Sequence, residues 1–272
     1  MTHGLPGSVR YDDGPMANVY FELTEEFNRD GLVAVLSSGQ AVVWYRLAIM
    51  SKDGDWIVRE EAAACDRVLE VLASHGARYR PGAPLDIEWL QGGWSAHFEF
   101  ADARGYRIRC DFVSRPPRLS AAAVAALFSG RRTDRLPVID LRSLIAIKQT
   151  QRAKDYVVIG ALARLLPASE ELAVTTDPDR VIELVQQHGG GLPRQAVQLA
   201  LAGSSREDVV VALARETDRL QLLDRARMER YRQASHAYLV EFNRQGLGSL
   251  PLAAAHDRVQ ALATTMLPRT AS

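Results

Sequence analysis

Asp53 and Asp55 alternate in the stretch SKDGDWIV (51 to 58), directly ahead of the apolar Trp56, Ile57 and Val58. In an extended chain, side chains two apart project to the same side, so both carboxylates share a face while Gly54 between them points away. Carboxylates are depleted in strands, and two on one face repel each other. A divalent cation would offset that cost. A third acid, Asp111, lies in YRIRCDFV (106 to 113), whose alternation sets Tyr106, Ile108, Cys110 and Phe112 against Arg107, Arg109 and Asp111. If the two strands are neighbours, three carboxylates converge. That many hard oxygen donors suit Mg2+ or Mn2+ held partly by protein and partly by substrate phosphates.

The tripeptide SSG (37 to 39) supplies a second component, at the end of one expected strand and the start of a helix. Free amides and the positive end of the helix dipole attract anions there, and Gly39 lets a phosphate come close to the backbone. A Gly at such a junction is commonly turn chemistry and nothing more. Combined with the acids, it matches what a nucleoside triphosphate requires: terminal phosphates on amides and Mg2+ on carboxylates.

The elements that must position these groups follow from periodicity. ANVYFELTEEFNRDG reads as a helix ending at Gly31, LVAVL (32 to 36) as a short buried strand, and the stretch from Ala41 onward as a packed helix. DWIV is a second strand, and EEAAACDRVLEVLASHG (60 to 76) is an amphipathic helix stopped by Gly76. LDIEWL, WSAHFEF and YRIRCDFV read as three further strands, the last two joined by the turn ADARG. Beyond SRPPRL the pattern turns helical, with helices expected over 120 to 128, 140 to 149, 153 to 166, 178 to 188, 192 to 202, 205 to 244 and 252 to 266, and a short extended LPVID (136 to 140). The segment 165 to 179, LLPASEELAVTTDPD, is the expected domain boundary. An irregular Gly- and Pro-containing leader is expected over 1 to 17, a first domain over 18 to 166, and a helical domain over 167 to 272.

At 272 residues, 47% of them hydrophobic and 24% charged, the chain can bury a full core. The formal net charge of zero argues against a strong global attraction to nucleic acid, although Arg225, Arg227, Arg230 and Arg232 form a local basic cluster. Elsewhere the long segment 205 to 244 balances its charges, as a solvated helix face does, and its length points to a helical hairpin or a dimerising surface. Cys65 and Cys110 lack partners at zinc spacing and read as small core residues, and Trp44, Trp56, Trp89 and Trp94 read as core rather than as a base-stacking platform. His75, His97, His188, His236 and His256 are scattered without metal spacing. No apolar run approaches a bilayer span and no signal pattern is present, so a cytoplasmic location without membrane contact is expected. The three lysines, Lys52, Lys148 and Lys154, stand among thirty arginines and all fall within the two segments that follow.

VLSSGQAVVWYRLAIMSKDGDWIV resembles the signature of the nucleotidyltransferase superfamily, the DNA polymerase β-like fold, and in particular its bacterial branch of abortive-infection toxins and minimal nucleotidyltransferases. That branch's run of Gly-Gly, a small-apolar helix and Thr-Lys-Asp-apolar-Asp is similar to Ser38, Gly39, Ser51, Lys52, Asp53 and Asp55. A second stretch, VIDLRSLIAIKQTQRAKDYVVIGAL (138 to 162), resembles the branch's later helix and its Arg-x-Lys-Asp motif at Lys148, Arg152, Lys154 and Asp155. The likeness covers about residues 20 to 166. Ser38 stands where the first Gly is usual, Gly54 where an apolar residue is usual, and an Arg common before the acidic pair is replaced near Ile49.

The resemblance implies an α+β fold, a nucleotidyltransferase-like mixed sheet flanked by helices and followed by a helical C-terminal domain. It further implies transfer of a nucleoside monophosphate from an NTP to an RNA end, tRNA-like in kind, or to a protein hydroxyl, in a toxin-antitoxin or phage-defence setting. Asp53, Asp55 and Asp111 would be catalytic and hold Mg2+ or Mn2+. Ser38, Gly39, Ser51, Lys52 and Lys148 would bind the nucleotide, while Arg152 and Asp155 read equally as a local ion pair. The helical C-terminal region would serve a protein partner or a homodimer. The alternative is a degenerate, non-catalytic member that binds a nucleotide or a partner.

Overall fold

The computed structural model describes residues 18 to 129 and 136 to 271, so the leader expected over 1 to 17 lies outside the described residues. Asn18 caps the first helix, α1 (Val19–Phe27), by accepting from the Tyr20 amide, and β1 (Ala34–Ser37) follows. Next come α2 (Ser38–Trp44), β2 (Asp53–Val58), α3 (Ala62–Ser74) and a two-residue β3 (Arg78–Tyr79). After the short α4 (Ile87–Gln91), β4 (Ala96–Ala101) and β5 (Arg107–Val113) complete a mixed five-stranded sheet of order β1-β2-β5-β4-β3. Among these five strands β2 and β5 run parallel and the other pairings are antiparallel.

The remainder is helical: α5 (Ala121–Leu127), α6 (Leu141–Lys148), α7 (Ala153–Ala163), α8 (Ala168–Val174), α9 (Pro178–His188), α10 (Gln195–Leu201), α11 (Arg206–Arg244) and α12 (Leu252–Met266). The fold is therefore α+β, a mixed sheet flanked by helices with a long helical C-terminal region. Among the described residues no helix is long and apolar enough to cross a membrane.

One of the expected elements differs. LDIEWL alternates like a strand, yet it forms α4: the Asp86 side chain accepts from the Glu88 amide and caps a helical turn. The consecutive Trp89 and Leu90 are then both buried, which strand alternation would not allow. The boundary segment 165 to 179 contains α8, whose first turn carries Glu170 and Glu171 at the favourable end of the helix dipole. LPVID is extended as expected and runs beside β1 through the parallel bridge Leu36↔Val138, covering part of its open edge, and Asp140 at its end caps α6.

One face of the sheet is buried and the other is covered in part. The buried face carries Leu36, Trp56, Val58, Phe98, Cys110 and Phe112 against α1, α3, α12 and the end of α11. Trp56 stacks on Phe112 with ring centroids 5.2 Å apart and meets Phe27 edge-on at 5.3 Å. Each such pair adds about 0.5–1.5 kcal/mol beyond area burial. The other face offers Val35 and Ile57 to residues of α2, α5, α6 and α7. By strand alternation Asp53 and Asp55 lie on this second face, just beyond its apolar cover.

Candidate functional site

Register brings the acids together. Asp55 pairs with Ser37 on β1 and with Asp111 on β5, while His97 on β4 pairs with Asp111 from the other side. All four side chains project from the same face, in a row across four strands. Asp53 sits one pleat away beside Arg109, whose guanidinium is 3.7 Å from its Oδ1. Gly54 between the acids is required by the opposite face. A Cβ there would lie 2.3 Å from the Trp56 ring and 2.5 Å from that of Tyr20.

The turn into α2 is built against the same acids. Ser38 adopts φ 50°, left-handed backbone at a residue other than glycine, and its side chain hydrogen-bonds the Asp55 carboxylate. Gly39 lies so close to the approach to β2 that a Cβ would stand 2.2 Å from Ser51 Oγ. The backbone of that approach is clamped: buried Gln40 donates to the Ser51 carbonyl at 2.9 Å and the Tyr20 hydroxyl to the Lys52 carbonyl at 2.6 Å. The Lys52 side chain itself is exposed.

Lys148, at the end of α6, is buried and donates to Asp155 Oδ1 at 3.4 Å. Asp155 also accepts from Thr150 at 2.6 Å and Arg152 at 2.7 Å. Burial pushes its carboxyl up, but the Thr150 hydrogen bond and the Lys148 and Arg152 charges outweigh this and hold it below the usual range. Arg152 and Asp155 are thus a local ion pair, and one shared with Lys148. Asp224, buried on α11, accepts from the Gln151 amide at 2.9 Å and so fastens the turn that follows Lys148.

The electrostatics of the row are those of crowded negative charge. Burial raises the Asp55 carboxyl to about 6, the neighbouring Asp111 and Asp53 add to the rise, and Lys148 and Ser38 oppose it. Asp53 Oδ1 is shielded from solvent and has no hydrogen-bond partner. Asp111 Oδ1 is engaged by Arg80 at 3.1 Å and by His97 Nδ1 at 2.8 Å. Among the described residues no three His, Cys, Asp or Glu side chains close into an all-protein metal cage. A Mg2+ ion does not need one: it keeps several waters and takes one or two carboxylates plus substrate phosphates. The Asp53 oxygen, without a hydrogen bond, and the crowded Asp55 carboxylate fit that arrangement.

Sequence reasoning placed Asp53, Asp55, Asp111, Ser38, Gly39, Ser51 and Lys148 in segments that the fold gathers around this row. It missed Arg80 and His97, both on Asp111. The alternation of WSAHFEF carries the signal for His97, which shares a face with Ser95 and Glu99. Nothing local marks Arg80.

No protein-family model and no curated protein matches the chain. Two solved structures are similar in fold. One is a candidate nucleotidyltransferase from H. pylori (TM-score 0.39, 12% identity, 76% of this chain and 94% of that one). The other is JHP933 from Helicobacter pylori (TM-score 0.40, 12% identity, 78% of this chain and 93% of that one).

Proposed function

We propose that this chain is a Mg2+- or Mn2+-dependent nucleotidyltransferase that moves a nucleoside monophosphate from an NTP to an RNA end or a protein hydroxyl. The observation that carries the reading is the pair Asp53 and Asp55 on one sheet face, with Asp111 in register beside Asp55 and a solvent-shielded Asp53 oxygen that no hydrogen bond satisfies and the Arg109 guanidinium approaches only to 3.7 Å. Asp53 and Asp55 would hold the ion, with Asp111 beside them. Bound there, the ion would neutralise phosphate charge and make the α-phosphorus a better electrophile. The backbone at Ser38 and Gly39 would receive the terminal phosphates. Lys148 adds positive charge from the buried side, held in place by Asp155. Ser51 and Lys52 contribute chiefly through the clamped approach to β2. A toxin-antitoxin or phage-defence setting, and a partner or second copy on the helical C-terminal region, belong to the same reading.

The test is incubation of the full chain with each α-labelled NTP, Mg2+, cellular RNA and cellular protein. Transfer is expected, and Asp53→Ala or Asp55→Ala should lower it by about 100-fold or more, since even outer-shell partners of metal sites are worth about 10–100-fold. Persistence of transfer in both variants would sink the reading. One observation favours a non-catalytic alternative: Asp111 Oδ1 is already neutralised by Arg80. In that case an NTP with Mg2+ would still raise Tm, through binding alone, without any transfer.

A further inference from the structure

On the same sheet face, beyond the acidic row, a hydroxyl is wired for nucleophilic attack. Ser95 Oγ lies 2.9 Å from His97 Nε2, and His97 Nδ1 lies 2.8 Å from Asp111 Oδ1. Asp111, paired with Arg80 at 3.1 Å, is a carboxylate that can only accept, so Nδ1 must carry the imidazole proton. In the neutral ring Nε2 is then the acceptor, and the Ser95 hydroxyl donates to it. With the Ser95 proton committed to Nε2, the Tyr231 hydroxyl of α11, 2.9 Å from Ser95 Oγ, is left to donate to it and fixes the rotamer further. A hydroxyl donating to a base that a third group orients is the general arrangement of an activated nucleophile. His97 and Asp111 each keep about a quarter of their side-chain surface exposed, 25% in both cases, so the dyad is open to a substrate.

We infer that Ser95 is an acceptor hydroxyl within the chain itself, a self-nucleotidylation site served by His97. The inference rests on the nucleotidyl-transfer reading above and names one acceptor for it. Ser95 lies two residues beyond His97 along the line of β4, so its Cα stands about 12 Å from that of Asp55, two strand spacings across and two residues along. A triphosphate that binds at Asp53 and Asp55 has to extend across Asp111 to bring its α-phosphorus to Ser95. In the step, Ser95 Oγ attacks the α-phosphorus, the Oγ–P bond forms and the bond from that phosphorus to the β-phosphate bridging oxygen breaks. Pyrophosphate leaves with the electron pair, and the Oγ proton passes to His97 Nε2, whose imidazolium is then paired with Asp111. The product is a serine-linked nucleoside monophosphate.

The full chain is incubated with Mg2+ and each of the four α-labelled NTPs in turn, with cellular RNA present, and the label is mapped by peptide mass spectrometry. A nucleoside monophosphate on Ser95 is the expected result. It should vanish in Ser95→Ala and fall at least about 100-fold in His97→Ala, the lower end of what a general base contributes. Because the decisive mapping uses the unaltered chain, no variant has to fold for the inference to be judged. Label on RNA or on another residue with none on Ser95 overturns this inference and leaves the nucleotidyltransferase reading standing. Label on nothing overturns both.

Discussion

At the scale of single residues, Asp55 determines most. Its carboxyl is raised from 3.8 to about 6, first by burial and then by Asp111, so the folded chain holds this proton more tightly than the unfolded chain does. Ionisation therefore works against folding. The penalty is absent below about pH 4, grows between the two values, and is complete above pH 6. Discounted for partial solvent access, it amounts to about 1–2 kcal/mol at pH 7. Asp55→Asn should thus raise Tm at pH 7 while leaving it unchanged near pH 4, and should abolish transfer. A Tm difference that stays constant between those pH values would contradict the assignment. Asp53, Asp55 and Asp111 were legible in the sequence because alternation in an extended chain fixes their faces. Arg80 was not, because its meeting with Asp111 depends on a strand pairing, β4 on β5, and on a loop return from β3 that no local pattern encodes.

At the scale of elements, the junction of β1 and α2 and the approach to β2 form one unit, joined where Gly39 meets Ser51. A methyl at 39 would stand 2.2 Å from Ser51 Oγ and 3.0 Å from its Cβ, so one of the two segments would have to give way. Gly39→Ala is expected to cost about 1–3 kcal/mol, the range for overpacking a filled space. Ser51→Gly in the same chain should recover most of that cost, and a double-mutant cycle by urea unfolding measures the coupling. Independent, additive effects would show that the two segments do not touch. Strands β1, β2, β4 and β5 and most helices were readable from apolar period, since each buries a defined face. The misread element, α4, is five residues long. Over so short a span, Leu85, Ile87 and Trp89 fit a strand as well as a helix, and only the capping carboxylate of Asp86 decides between them.

At the scale of the molecule, the helical region is not an appendage to the sheet. Its middle, from Leu172 to Leu213, gathers a small core of its own, but its end returns to the sheet. Helix α11, 39 residues and about 58 Å long, runs from one core to the other, which accounts for a single uninterrupted helix where a hairpin was an open expectation. Tyr238, Phe242, Leu247, Leu252, Val259 and Leu262 are all buried in the core that holds Trp56 and Phe112. The Tyr238 hydroxyl donates to the Gly82 carbonyl at 2.8 Å, and Trp94 donates to the Pro268 carbonyl at 2.9 Å. At about 1.5–3 kcal/mol for each buried large side chain, these six contribute roughly 9 to 18 kcal/mol. The net stability of a whole domain is only about 5–15 kcal/mol. A chain cut after residue 166 keeps every residue assigned to the acidic row and its phosphate turn, yet it should show no cooperative unfolding transition in urea by circular dichroism. It should regain one when residues 206 to 271 are supplied as a separate chain. A cooperative transition in the short chain alone would mean that the sheet closes its core without α11 and α12, and that the C-terminal helices are free to serve another purpose.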